Sequence, residues 1–134
     1  LSLFVDTSVW SLFLRRDQPA DLPEIVALRR ALESGERIVT TGLVLQELLQ
    51  GFSGPKAREQ IIDRFAAFPL LAANREDYIA AAALRNDCRK HGVQSGTIDA
   101  LIAQLCVHHD LTLLTTDGDF SHIAKWCALR LWRQ

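Results

Sequence analysis

The sequence is poor in cysteine, free of long apolar runs and nearly neutral, and each shortage excludes something. Its three cysteines, Cys88, Cys106 and Cys127, are odd in number and widely spaced. No C-x-x-C pair occurs, so neither a zinc ribbon nor a disulfide framework is signalled, and three reduced, partly buried thiols are expected. The histidines suggest no more: His108-His109 lacks an H-E-x-x-H frame, and His91 and His122 stand alone, positions that suit surface or core better than metal. Gly-rich phosphate loops, Ser-His-Asp sets and Cys-His nucleophiles are likewise missing. Charges interrupt every apolar stretch short of the roughly 20 residues a membrane span requires. The opening residues, Leu1-Ser2-Leu3-Phe4-Val5-Asp6, carry neither a basic leader nor a signal-type cleavage site, which sets the expectation of a cytoplasmic protein with no membrane partner.

A net charge of −1 gives no basic footprint for a nucleic-acid partner. The total can hide an asymmetry. Were Asp6, Glu47, Asp99, Asp117 and Asp119 to converge on one cation, eleven acids would remain against fifteen basic residues, a surface of +4 compatible with gripping phosphates. Charge alone does not decide the matter.

What is present is an ordinary globular composition, 49% hydrophobic and 23% charged, over 134 residues, a length that fits a single domain, 1–134, with a real core. Short apolar runs alternate with amphipathic helical segments. Strands are expected at Leu3–Asp6, Arg37–Thr41, Leu70–Ala73, Leu111–Thr116 and Cys127–Trp132. Helices are expected at Val9–Arg15 with Ser8 as N-cap, Glu24–Ser34 closed by Gly35, Gly42–Gln50, Pro55 to about Phe68, Glu76–Lys90, Thr97–His109 and Phe120–Lys125. This alternation predicts an α/β fold, a parallel sheet covered on both faces.

In such sheets ligands bind beyond the carboxyl ends of the strands. Asp6 follows Leu3-Phe4-Val5 and Asp117 follows Leu113-Leu114-Thr115-Thr116, although an Asp after a strand also starts turns and caps helices. Asp99 has Ile102, Ala103 and Cys106 at i+3, i+4 and i+7, an apolar face on which an ionised carboxylate is costly unless paired, hydrogen-bonded or bound to metal. Its place in the first helical turn offers only about 0.3–1 kcal/mol through the helix dipole. Glu47 borders an equally apolar stripe, Leu43–Leu49, where it otherwise marks the solvent edge. Four acids at apolar-flanked positions of four elements suit Mg²⁺ or Mn²⁺, hard cations that prefer oxygen ligands and activate water against a phosphodiester. Without a cation they would repel one another.

At these residues the sequence resembles a known family. The D-T-S of Asp6-Thr7-Ser8, the helix-borne Glu47, the Asp99 of T-I-D-A-L-I-A and the T-T-D-G-D-F of Thr115–Phe120 look like a PIN domain, and in size and spacing the chain is most similar to the VapC toxins of bacterial VapBC toxin–antitoxin pairs. The resemblance implies an endoribonuclease that cuts structured RNA with Mg²⁺ or Mn²⁺, and a parallel sheet in the order 3-2-1-4-5. It implies Asp6 and Asp99 as principal metal ligands, with Glu47 and Asp117 completing the acidic set directly or through water, Asp119 as a doubtful fifth member, and Ser8 and Thr116 as supports. It also implies a cognate VapB-type antitoxin, a homodimer and a toxin–antitoxin hetero-oligomer.

Two rival readings remain to be weighed. A PIN nuclease of RNA maturation would lack an antitoxin reading frame upstream. A non-enzymatic phospho-receiver would need an Asp after its third strand and a Lys after its fifth, where this chain has Asn74-Arg75 and Arg133. For phosphate contacts the expected residues are Arg15, Arg16, Arg89 and Lys90. Trp126 and Trp132 adjoin an edge strand and are expected in the core. For the antitoxin, the apolar helix around Leu48, with Phe52 and with Phe65 on the next helix, is the expected groove.

Overall fold

The computed structural model describes residues 2–15 and 21–133. Its sheet is parallel throughout and has the strand order β3-β2-β1-β4-β5, as the family resemblance implied. The strands are β1 (Ser2–Val5), β2 (Arg37–Thr41), β3 (Leu70–Leu71), β4 (Thr112–Leu114) and β5 (Arg130–Leu131). Three of the four residues of β1 and four of the five of β2 are buried, as a strand covered on both faces requires. The edge strands are shorter than the sequence suggests, with only two residues each in ladder pairing.

Helices α1 (Thr7–Leu14), α2 (Pro23–Ser34), α3 (Gly42–Gly51) and α4 (Pro55–Phe65) connect β1 to β2 and β2 to β3. Helices α5 (Arg75–Lys90) and α6 (Thr97–His108) lead back to β4, and α7 (Asp119–Ile123) leads to β5. Strand order therefore runs outward in one direction from β1 to β3 and in the other from β4 to β5. With crossovers of the usual right hand, the two sets of helices cover opposite faces. The switch point falls between β1 and β4, and both strands end there beside the acidic residues.

Local chemistry sets the ends. Proline at the first turn opens α2 and α4. Gly35, at φ 71°, closes α2 in the left-handed conformation that glycine adopts without a Cβ penalty. The Thr41 hydroxyl accepts the Val44 amide at 3.2 Å to cap α3. Helix α4 stops at Phe65 rather than Phe68: the Ala67 and Phe68 amides tighten onto the Arg64 and Phe65 carbonyls, and Pro69 then disfavours helical geometry at Phe68. Helix α1 starts two residues earlier than the reading of Ser8 as its cap required. Asp6 holds the N-cap position, Ser8 lies inside the helix, and its hydroxyl is given to the Asp6 carboxylate instead of the backbone.

The core under α1 is aromatic. Trp10 is fully buried and packs against Phe65 at 4.9 Å, Phe68 at 5.6 Å and Phe13 at 6.0 Å between ring centroids. This corrects the expected groove. Leu48 is 1% exposed and Phe65 3%, so α3 and α4 turn these side chains onto Trp10 and the sheet, and of the three only Phe52 is partly open. The most exposed large apolar side chains on helices are Tyr78 and Ile79 of α5. Trp132 packs against the core as expected, but Trp126 does not: it is 39% exposed and stacks on the His91 imidazole, with centroids 3.6 Å apart.

Helix α6, which carries Asp99, is pinned to α5 by a buried carboxylate. Asp77 accepts the Asn74 amide at 3.0 Å and returns its own amide to Asn74 Oδ1 at 2.8 Å, a capping box. Its Oδ1 also meets His108 Nδ1 at 2.7 Å and Gln104 Nε2 at 3.4 Å. Burial pushes the Asp77 carboxyl up, but the Asn74 amide, His108 and Gln104 together hold it below the ordinary carboxylate value. A folded pKa below the unfolded one stabilises the protein above the unfolded value of 3.8, and this stability is lost as pH falls through the folded value. Asp77→Ala is expected to cost about 1 kcal/mol at neutral pH, typical of a lost capping partner, and to flatten the acid limb of a melting-temperature profile below pH 4. An unchanged acid limb would show that other carboxylates govern it.

Candidate active site

Asp6 is 8% exposed and sits where β1 ends. Its amide donates to the Leu114 carbonyl at 2.9 Å, continuing the β1–β4 pairing by one residue and setting Asp6 beside the end of β4. The carboxylate is held on one side only. Its Oδ2 accepts the Ser8 hydroxyl and the Thr115 hydroxyl, both at 2.8 Å, while no described residue donates to Oδ1. Two hydroxyl donors on one oxygen fix the direction of the carboxylate.

Thr115 is the residue that sequence reasoning missed. Besides donating to Asp6, its Oγ1 accepts the Asp117 amide at 3.0 Å and lies 3.3 Å from Ser8 Oγ. Thr116, expected in the supporting role, contributes only its amide, which donates to Ser8 Oγ at 3.1 Å. The reason is backbone geometry. Strand β4 ends at Leu114, so alternation no longer tells which of two adjacent threonines turns inward. The Asp117 Oδ1 in turn accepts the Asp119 amide at 2.9 Å. Glu47, exposed on α3, takes the Thr7 hydroxyl at 3.1 Å.

Asp99 enters from the first turn of α6. Asp6, Thr7, Ser8, Glu47, Asp99 and Asp117 line one open cleft of about 500 Å³ with Gly96, Thr97, Ile98 and Ile102. Burial, and then the charges of Asp117, Asp6, Asp119 and Glu47, raise the Asp99 carboxyl to about 6. Thus four acids from four elements share one cleft. Asp119 adds its charge from the rim, and lines a smaller neighbouring cavity with Gly92, Val93, Gln94 and His122.

The donor set is all oxygen, which suits Mg²⁺ or Mn²⁺ better than zinc or copper, whose sites draw mainly on His and Cys. Among the described residues no three such side chains form a ready-made metal cage. Mg²⁺ does not need one, because it keeps several waters and is commonly bound by one or two carboxylates. The free Oδ1 of Asp6 and the raised Asp99 carboxyl both fit a site designed around a cation.

Of the basic residues expected at phosphates, Arg15 is exposed at the end of α1, and Arg16 lies outside the described residues. Arg89 and Lys90 are exposed at the end of α5. Arg89 lines a cavity that shares Gly96 with the acidic cleft, and Lys90 does not.

Fold and site define a class: a doubly wound α/β protein with an all-carboxylate cleft at the switch point of its sheet. Within that class the PIN domain model matches residues 3–125, and the chain belongs to the PIN-domain family. Over 81 residues, 60% of this chain, it is 35% identical to Ribonuclease VapC23 of Mycobacterium tuberculosis (strain CDC 1551 / Oshkosh), and the match spans 62% of that relative. The whole fold superimposes on VapBC2 from Rickettsia felis, crystallised with a DNA fragment from its promoter. There the TM-score is 0.74 over 100% of this chain and 99% of that one, at 19% identity. It also superimposes on VapBC-5 of Mycobacterium tuberculosis, a member of the VapBC family of toxin–antitoxin systems, at a TM-score of 0.69, covering 99% and 98% of the two chains at 22% identity. At such identities the likeness is one of fold. No described helix is long and apolar enough to cross a membrane.

Proposed function

We propose that this chain is a divalent-metal-dependent endoribonuclease of the VapC kind, the toxin of a toxin–antitoxin pair, with Asp6, Glu47, Asp99 and Asp117 as its acidic site. The observation that carries the reading is the convergence of four carboxylates from four elements on one open cleft, where burial and then the neighbouring charges raise the Asp99 carboxyl. Support for RNA as substrate comes from the identity to a relative named as a ribonuclease, and support for an antitoxin partner from the fold shared with VapBC complexes.

A bound Mg²⁺ or Mn²⁺ supplies Lewis-acid polarisation of a phosphodiester and a water acidic enough to act as nucleophile at neutral pH. The chain's own residues would provide the rest. Ser8 and Thr115 fix the Asp6 carboxylate through its Oδ2 at the wall of the cleft. Asp99, with a pKa near 6, is mostly ionised at pH 7 and able to act as a ligand. Asp117 and Glu47 extend the negative wall, each steadied by a threonine, Asp117 through its amide and Glu47 through its carboxylate.

The test is metal removal. Cleavage of structured RNA by the purified protein should fall at least about 100-fold in EDTA and return with Mg²⁺ or Mn²⁺ but without any need for Zn²⁺. Persistent cleavage in EDTA, or stoichiometric zinc in active protein, would overturn the proposal.

A further inference from the structure

Beside the acidic cleft, and sharing Gly96 with it, lies a cavity of about 540 Å³ lined by Arg85, Arg89, Val93, Gln94, Ser95 and Gly96. Its chemistry is the opposite of its neighbour's. Arg85 and Arg89 are one turn apart on α5, so both side chains leave the same helix face. The Arg85 Nε donates to the Ser95 carbonyl at 2.9 Å, which fixes the guanidinium plane and leaves its Nη groups for a ligand. Among the described residues neither arginine has a carboxylate partner. Ser95 is 8% exposed, and its Oγ is shielded from water without a hydrogen-bond partner. A buried hydroxyl of this kind calls for a partner, which a water or a ligand oxygen would supply. The chain then enters α6 at Gly96, the residue the two cavities share, while Thr97, Ile98 and Asp99 of the first turn line the acidic cleft.

Two arginines without a described carboxylate partner and a shielded hydroxyl are all donors. Their complement is an anion with several acceptor oxygens, and a phosphate meets a planar guanidinium fork in two places at once. Because the cavity adjoins the carboxylate cleft across Gly96, one polynucleotide strand can lay successive phosphates in both. We infer that Arg85, Arg89 and Ser95 form a binding subsite for a backbone phosphate flanking the one that is cut. The inference rests on the ribonuclease reading and goes beyond it by assigning the grip on substrate to one pocket rather than to scattered surface charge.

Arg89→Gln is the decisive variant, because Arg89 is exposed and its side chain makes no described hydrogen bond within the protein. Ser95→Ala is the second, and a melt checks the fold of each. With a single-stranded oligoribonucleotide and Mg²⁺, Arg89→Gln should raise KM about 5- to 10-fold with kcat within about twofold, and Ser95→Ala should raise KM less. In EDTA, fluorescence anisotropy of the same oligonucleotide should show a salt slope smaller by about 0.7 for Arg89→Gln. An unchanged KM and slope, or a fall in kcat at constant KM, would overturn the subsite. So would retained RNA affinity together with lost binding of an acidic peptide, which would give the pocket to a protein carboxylate. If the wild-type protein cleaves no RNA with any divalent cation, the ribonuclease reading falls, and the anisotropy slopes still decide the subsite.

Discussion

Replacing Asp99 with Asn should reduce RNA cleavage at least about 100-fold and, in metal-free buffer at pH 7, raise the melting temperature. The loss of activity follows from removing an anionic oxygen ligand, which should exceed the 10- to 100-fold typical of losing a ligand's hydrogen-bond partner. The gain in stability follows from the cleft. Burial and four neighbouring carboxylates lift the Asp99 carboxyl from 3.8 to about 6, so the folded protein holds this proton more tightly than the unfolded chain does. Ionising Asp99 therefore costs the fold, and this contribution to stability falls as pH rises from about 4 to about 6. The sign is opposite to that of Asp77. In Asp99→Asn that decline should disappear, and saturating Mg²⁺ should reverse the order of the melts, because only the wild-type protein gains a ligand-bound state. Near-normal cleavage by the folded variant would remove Asp99 from the site. A metal-free melt at pH 7 below that of the wild type would show that the acids do not repel in the way their placement requires.

The parts of this molecule that were legible in its sequence are those fixed by local pattern. Asp6 was visible because it ends a short apolar strand, and Asp99 because a carboxylate interrupts the stripe that Ile102, Ala103 and Cys106 bury. The strand order came from the family resemblance and not from periodicity. What escaped was decided by tertiary packing. Leu48 and Phe65 look like surplus apolar surface along the chain, yet both are buried in the core, Phe65 against the Trp10 ring. Trp126 looks like core and instead lies over His91 at the surface. Arg85 and Ser95 carry no sequence signal, since their relation depends on how the loop after Gly92 returns toward α5. Gly92, at φ 78°, ends that helix in a conformation few other residues adopt, and Val93 donates to the Cys88 carbonyl at 2.8 Å as the chain turns back.

Thr115→Val should reduce cleavage about 10- to 100-fold, the range for losing a partner that orients a metal-binding group. The threonine is not among the residues that line the acidic cleft. It acts through Asp6, whose Oδ2 it holds at 2.8 Å, and through the Asp117 amide it accepts at 3.0 Å. Valine keeps the branched shape and deletes both bonds, leaving Ser8 as the one described donor to the Asp6 carboxylate. Thr115 is thus a positioning residue, and its loss should appear first as a higher Mg²⁺ concentration for half-maximal activity. The accompanying loss of stability should be about 1 kcal/mol, the net worth of an ordinary hydrogen bond. Two controls separate positioning from general damage. Thr115→Ser retains the hydroxyl and should restore the Mg²⁺ dependence. Thr116→Val leaves intact the amide that donates to Ser8, the contribution Thr116 makes here, and should stay within about twofold of wild type. If Thr115→Val cleaves normally while Thr116→Val does not, the second threonine holds the site and the hydrogen-bond arrangement around Asp6 is other than the one described.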